Sequence, residues 1–157
     1  MNRLILVVAA ICAGTSALAH DFKTGALVVD HPMAFPTAAT AQAGAGYFSV
    51  TNTGSEDDRL IGIQADFPKV SMHGTRKEDG VMSMFEVEAI DIPAGETVAL
   101  EPGALHVMFM GLGGDPFEVG ETIPATLTFE NAGDVDVVFY VEPRGDGSEA
   151  IDHSAHQ

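Results

Sequence analysis

Histidine and methionine residues cluster in two short windows of this sequence. The windows together hold five methionines and two histidines, namely Met72, His73, Met82, Met84, His106, Met108 and Met110. Imidazole nitrogen and thioether sulfur are both uncharged ligands for soft metal ions. Taken singly, a methionine or a histidine is more often a packing residue than a ligand. Their repeated pairing in one chain favours a metal site.

The second window has the alternation of a β-strand. Because successive side chains of a strand point to opposite faces, His106, Met108 and Met110 project from one face and Val107 and Phe109 from the other. We expect Val107 and Phe109 to face the core. One face of this strand would then offer an imidazole and two thioethers.

The first window follows the same rule. Met82 and Met84 fall on one face of a short strand, opposite Ser83 and Phe85. The polar run 74–80 after His73 predicts a loop, so we expect both windows to approach the surface and the metal site to be open to solvent.

The ligand types select the metal. Thioethers favour Cu(I) over Zn²⁺, Ca²⁺ and Mg²⁺, which prefer thiolate with imidazole or oxygen ligands. Cys12 is the only cysteine and lies in a predicted signal peptide, so the mature chain has neither a thiolate ligand nor a disulfide. A blue-copper electron carrier, which needs a cysteine thiolate, is therefore excluded.

The N-terminus reads as an export signal. A basic start at Asn2-Arg3, an apolar stretch over residues 4–12 and the small-residue pattern Ala17-Leu18-Ala19 predict cleavage before His20. We therefore expect a periplasmic protein with a signal peptide at 1–19, a domain at 20–157 ending in a short flexible tail, and no membrane insertion after cleavage. The bulky Ile11 argues against lipid attachment at Cys12.

Length and charge limit the remaining classes. A chain of 157 residues with 46% hydrophobic residues can bury one core, so one domain is expected. The excess of 23 Asp and Glu over 7 Lys and Arg disfavours nucleic acid and anionic membranes as partners. It is compatible with simple solubility or with a basic partner.

The positioning elements are predicted to be strands. Nine short β-rich runs are separated by Gly, Pro, Asn and Asp turns, and no segment has a sustained helical period. The runs are 26–30, 46–53, 59–65, 70–73, 82–87, 97–100, 105–110, 122–129 and 135–141. This pattern predicts an all-β, antiparallel Greek-key sandwich or barrel.

The ligand spacing resembles a known signature. His73, ten residues, Met84, twenty-one residues, His106, one residue and Met108 is similar to the pattern of the periplasmic copper chaperones of the PCu(A)C family. Other similar segments are Asp30-His31-Pro32, Ala45-Gly46-Tyr47, Asn52-Thr53-Gly54, 80–84, 92–95 and 106–112. The chain departs from the family at Met33-Ala34-Phe35, where a Trp followed by Ala-Arg is common, which predicts altered packing beside the site.

The resemblance implies a fold and a role. It implies a cupredoxin-like Greek-key β-barrel, no enzymatic activity and one exposed Cu(I) site formed by His73, Met84, His106 and Met108. It also implies delivery of copper to the dinuclear centre of cytochrome c oxidase, with oxidase subunit II or another assembly factor as the partner. Met72, Met82 and Met110 would then lie beside the site or in the core.

Other interpretations stay open from the sequence. One is a periplasmic copper buffer or resistance protein that uses the same site without a dedicated acceptor. Another is a mononuclear copper oxidase or monooxygenase with His20 as an N-terminal clamp, and a third is a metal-free β-sandwich. A secondary Cu(II) site at His20, or at His153 and His156 in the tail, is a further hypothesis.

Overall fold

The computed structural model describes residues 21–145 and shows an all-β domain. Its eleven strands are β1 (Asp21–Thr24), β2 (Leu27–Ala34), β3 (Ala43–Asn52), β4 (Asp58–Ala65), β5 (Lys69–Glu78), β6 (Val81–Val87), β7 (Ile90–Ile92), β8 (Thr97–Leu100), β9 (His106–Met110), β10 (Thr122–Phe129) and β11 (Gly133–Val141). This part of the chain has no helix long and apolar enough to cross a membrane. The predicted signal peptide, His20, His153 and His156 lie outside the described residues.

The strands follow a Greek-key order. Neighbours in the sheet run β6, β5, β9, β3, β2, β11, β10, β4, β7, while β1 joins β2 and β8 joins β3. The described pairs are antiparallel except for a short parallel contact between β2 and β11. Alternating residues of these strands meet in one core, as expected for sheets with one dry face.

The all-β prediction is confirmed, and every predicted run corresponds to a strand. The sequence missed β1 and β7, which have only four and three residues and therefore little alternation to detect. The loop predicted at 74–80 is wrong. Its residues continue β5 as far as Glu78 and pair with β6, and the turn is confined to Asp79 and Gly80, which have φ angles of 51° and 84°. Polar residues fit this hairpin because it extends into solvent.

Aromatic rings fill the core behind β9. Phe109 is fully buried and lies 5.2 Å from the ring centroid of Phe67, 5.8 Å from that of Phe117 and 5.4 Å from that of Phe139. Offset and edge-on ring pairs at these distances are favourable beyond the apolar area that they bury. This packing holds β9, and with it His106 and Met108, in a fixed position.

Gly44 of β3 makes room for that packing. It lies directly opposite Phe109 on β9, and a Cβ at this position would overlap the ring of Phe117. Gly62 of β4 is a matched case without the constraint, because a Cβ there would meet only Thr128 at 3.8 Å, an ordinary contact distance.

We predict that Gly44→Ala lowers the free energy of unfolding by about 1–3 kcal/mol, because the Phe117 ring must leave its site in a close-packed core. Gly62→Ala should leave stability unchanged or raise it slightly, since alanine loses less backbone entropy on folding. Urea unfolding of both variants measures the difference. Equal effects at the two positions would contradict the role assigned to Gly44.

Candidate metal centre

Three neighbouring strands carry the four predicted ligands. In the antiparallel pair β5–β9, His73 lies opposite His106 and Ser71 lies opposite Met108. In the hairpin β5–β6, Met84 lies opposite Thr75, two residues along the strand from His73. Directly opposed residues share a face. His73, Met84, His106 and Met108 therefore all project from the same face of this part of the sheet.

The opposite face of the same strands is the core. Val107 and Phe109 are fully buried, as expected from the alternation of β9, and Met72 is buried beside them. Met72 is thus a packing residue, whereas Met82 is exposed on β6 and Met110 is half-buried on the face of Met108. The candidate site lies on the side of the sheet that points away from the core.

His73 and His106 are already brought together. Their ring centroids are 5.9 Å apart and the rings are nearly parallel, at 24°. His106 is only 6% exposed, and its Nδ1 lies 3.2 Å from the carbonyl oxygen of Ala104. A carbonyl can only accept, so Nδ1 carries the proton and Nε2 keeps its lone pair for a metal ion.

His73 is oriented by a neighbour on its own strand. Ser71 Oγ lies 2.9 Å from Nε2 of His73. When the hydroxyl accepts from Nε2–H, the lone pair of Nδ1 is free for a metal ion. Burial, together with the adjacent His106, holds the pKa of His73 below its usual value, and Glu86 opposes this shift only in part. His73 is therefore neutral, and competent as a ligand, at neutral pH.

The two predicted methionine ligands differ in their exposure to solvent. Met108 is half-buried beside the histidines, whereas Met84 is 62% exposed on the edge strand β6. The two lie on opposite sides of the histidine pair, two strands and four residues apart, which on a flat sheet separates their Cα atoms by about 17 Å. This exceeds what two methionine side chains and one ion can span. The structure thus assembles the two histidines, and the convergence of all four ligands stays a prediction.

A charged pair borders the site. Glu86 lies opposite His73 on β6 and accepts a hydrogen bond of 3.0 Å from Lys69 Nζ, which lowers the pKa of the Glu86 carboxyl. The carboxylate is therefore ionised and engaged by the ammonium group. Among residues 21–145, no group of three or more His, Cys, Asp or Glu side chains is arranged to hold a metal ion.

The segment Met33-Ala34-Phe35, where the chain differs from the PCu(A)C pattern, lies on the side of Met108 that faces away from the histidines. The rings of Phe35 and Tyr47 are 5.7 Å apart, and the guanidinium of Arg144 lies 4.7 Å from the centroid of Phe35. Phe35, Tyr47, Met108 and Arg144 line one cavity of about 220 Å³. Burial raises the pKa of Tyr47, and Arg144 offsets this only in part, so the phenol keeps its proton.

Sequence reasoning missed three groups that shape this site. Ser71 could have been found, because it is two residues from His73 and so on the same face of a strand. Tyr47 belongs to a segment that resembles the family, but neither its ring nor the carbonyl of Ala104 could be placed beside the site, since their positions depend on pairing between distant strands and on a turn.

Solved structures share this fold. The apo PCuAC domain from PmoF1 is 25% identical, with a TM-score of 0.67 over 80% of this chain and all of that domain. The copper-bound PCuAC domain from PmoF2 is 28% identical, with a TM-score of 0.67 over 80% of this chain and 99% of that domain. CuI-DR1885 from Deinococcus radiodurans is 26% identical, with a TM-score of 0.58 over 82% of this chain and 83% of that chain.

Related sequences match a large part of this chain. "Putative lipoprotein Lxx21020" of Leifsonia xyli subsp. xyli (strain CTCB07) is 36% identical over 89 residues, which are 55% of this chain and 53% of Lxx21020. The chain thus spans about half the length of that relative. The family model "Putative lipoprotein LpqE-like" matches residues 27–141, almost the whole described domain. The chain therefore belongs to the LpqE-like family and has the fold of a PCuAC domain.

Proposed function

We propose that this protein is a periplasmic copper chaperone that binds one Cu(I) through His73, Met84, His106 and Met108. The observation that carries the proposal is the register of β5 with β9, which sets His73 opposite His106 with both methionines on the same face. Two imidazoles and two thioethers form an uncharged, soft ligand set that suits Cu(I).

The similar proteins support copper as the cargo. The PmoF2 domain has been seen with copper and DR1885 with Cu(I), and both share the fold at 26–28% identity. Lipoprotein names in the family support export to the cell envelope, in line with the predicted signal peptide. The bulky Ile11 remains an argument against a lipid on Cys12 of this chain.

The positions and exposure of the four proposed ligands indicate how the ion would be held and released. The histidines and Met108 lie on two paired strands, β5 and β9, whose other face is core, so they form a fixed platform. Met84 lies on an exposed edge strand and closes the site when the outer end of the β5–β6 hairpin curls over the histidines. Its exposure makes Met84 the ligand that an incoming group replaces first. In this proposal, the only bonds that form and break during transfer are those between the copper ion and its ligands.

We predict that Met84→Ala and Met108→Ala each weaken Cu(I) binding by about 100-fold or more, above the roughly 10- to 100-fold cost of losing an outer hydrogen-bond partner of a ligand. Competition with a chromophoric Cu(I) chelator measures the affinities. Zn²⁺ should compete poorly, because it binds thioethers weakly.

Met82→Ala is the matched control, because Met82 lies on the same strand and face as Met84 and is 57% exposed. It should change the Cu(I) affinity by less than a factor of about three, since its Cα lies two residues further along the hairpin from the histidines than that of Met84. If Met84→Ala and Met108→Ala both fold normally and keep the Cu(I) affinity of the unmodified protein, the assignment of these methionines as copper ligands is wrong.

The pH dependence follows from the imidazoles. Only neutral imidazole binds the metal, so Cu(I) affinity should be flat near neutrality and fall below about pH 6.5, the range of an unperturbed histidine. Because burial and His106 lower the pKa of His73, the loss due to His73 should set in at a lower pH than for a free imidazole. Affinity measured at a series of pH values tests this, and a loss centred near the thiol range of about 8.5 would contradict it.

The delivery target is proposed to be the dinuclear copper centre of cytochrome c oxidase, with oxidase subunit II or another assembly factor as the acceptor. The alternative is a copper buffer with the same site. We expect the Cu(I)-loaded chain to transfer its ion to an apo oxidase copper domain faster than a chelator of equal affinity does, because handover proceeds by ligand exchange within a complex. If the chain transfers Cu(I) no faster than the chelator does, the function as a copper buffer is favoured. Spectra of the reconstituted dinuclear centre follow the reaction.

A further inference from the structure

Strand β6 (Val81–Val87) has an open edge. It lies at one end of the strand order and pairs only with β5 among the described residues. Natural proteins usually blunt such edges with Lys, Pro, a bulge or a very short strand. The seven residues VMSMFEV contain no Lys, Pro or Gly, and their pairing with β5 has no register shift. This edge is therefore available for a further strand.

Exposed apolar side chains concentrate on the same strand. Six large hydrophobic residues are exposed in the described chain, and four of them belong to β6, namely Val81, Met82, Met84 and Phe85. Val81 is 67% exposed and Met84 is 62% exposed. An exposed apolar strand edge in a soluble protein is typical of a surface that a partner covers.

Charge identifies the kind of partner. The charged residues within β6 and directly beside it are Asp79, Glu86 and Glu88, all acidic. The basic side chains of the hairpin belong to β5, and two of them are already engaged, because Lys69 pairs with Glu86 and Arg76 pairs with Glu78 and lies over the ring of Phe85. Antiparallel pairing of two copies about Met84, the middle of β6, would set Glu88 of one copy opposite Gly80 and therefore near Asp79 of the other. With a net charge of −16 on each chain, self-pairing is unfavourable and a basic segment is attracted.

We propose that β6 is the docking edge for the copper-accepting protein, which adds an extended segment with an apolar middle and basic flanks as an extra strand. This inference rests on the proposed chaperone function. Strand addition supplies main-chain hydrogen bonds for affinity and places alternate side chains on the two faces of the sheet.

The geometry links docking to transfer. A side chain directly opposite Met84 on the added strand has its Cβ about 4.5–5.5 Å from that of Met84 and on the same face. Once the outer end of the β5–β6 hairpin has curled over the histidines, a Cys, Met or His at that position lies beside the ion that Met84 holds and can take the place of Met84 as its ligand. The segment is thus expected to carry such a ligand in its apolar middle.

Docking is tested first without metal, on residues 20–157. The probe is the peptide Lys-Lys-Val-Thr-Val-Thr-Val-Arg-Lys, which has no metal ligand of the thiol, thioether or imidazole type. Hydrogen exchange measured by NMR should show at least fivefold slower exchange for amides of β6 that are not bonded to β5. A peptide with Glu in place of the basic flanks should bind at least tenfold more weakly at low salt.

A pair of protein variants and a pair of peptides provide the controls. Val81→Lys puts a positive charge on the edge and should weaken binding of the basic peptide at least tenfold, whereas Val119→Lys, at a position 57% exposed outside the strands, should leave it unchanged. Two peptides N-methylated at alternate residues differ in which edge of the added strand lacks N–H groups. The peptide whose methylated edge faces β6 should lose binding, and the peptide whose methylated edge faces solvent should keep it.

Four results of these experiments would each contradict docking at β6. The inference is overturned if β6 gains no protection, if both valine variants behave alike, if both methylated peptides bind equally, or if protection rises with protein concentration without peptide, which would indicate self-pairing. A peptide with Met at its centre should also accelerate release of Cu(I) from the loaded chain at least tenfold over the valine and threonine peptide. Failure of metal-free docking leaves Cu(I) binding by the four ligands intact, whereas failure of the ligand variants leaves metal-free docking intact, so the two proposals fall separately.

Discussion

The register between β5 and β9 is the constraint on which the site depends. It buries Met72 against Val107 on one face and thereby sets His73 opposite His106 on the other. A slip of one residue would turn Val107 and Phe109 to solvent and His106 into the core, at the cost of two fully buried side chains and a buried imidazole without partners. The hydrophobic core therefore fixes which face the ligands occupy.

Rigidity falls across the site from β9 to β6. β9 lies in the middle of the sheet with the aromatic cluster behind it, and its His106 is held by the carbonyl of Ala104. β6 has one neighbour strand, and most of its side chains are exposed. Elements with few buried contacts open at low free-energy cost. In the proposed copper site, the imidazole pair would thus be the fixed part that retains the ion, and the exposed thioether of Met84 would be the part that gives way to an incoming ligand.

The sequence was sufficient to predict that His106 and Met108 share one face of their strand, because alternation within one strand depends only on local geometry. It predicted Val107 and Phe109 as core residues correctly for that reason. Neighbours across strands are set by long-range pairing, so Ser71 beside His73 and Glu86 opposite it were not foreseen. The length of β5 was also underestimated. Its end is polar because both faces of the hairpin meet solvent, and polarity alone then resembles a loop.

The acidic charge of the chain bears on the exposed edge of β6. In the proposed chaperone, thioether ligands would avoid disulfide oxidation in an oxidising compartment, but methionines on an open strand leave an apolar edge that invites aggregation. The excess of 23 acidic over 7 basic residues counters this, since like-charged copies repel before their edges can pair. In the proposed docking mode, the same field would attract a basic segment to β6. The acidity of the chain would then act against self-association and in favour of a basic acceptor at one and the same edge.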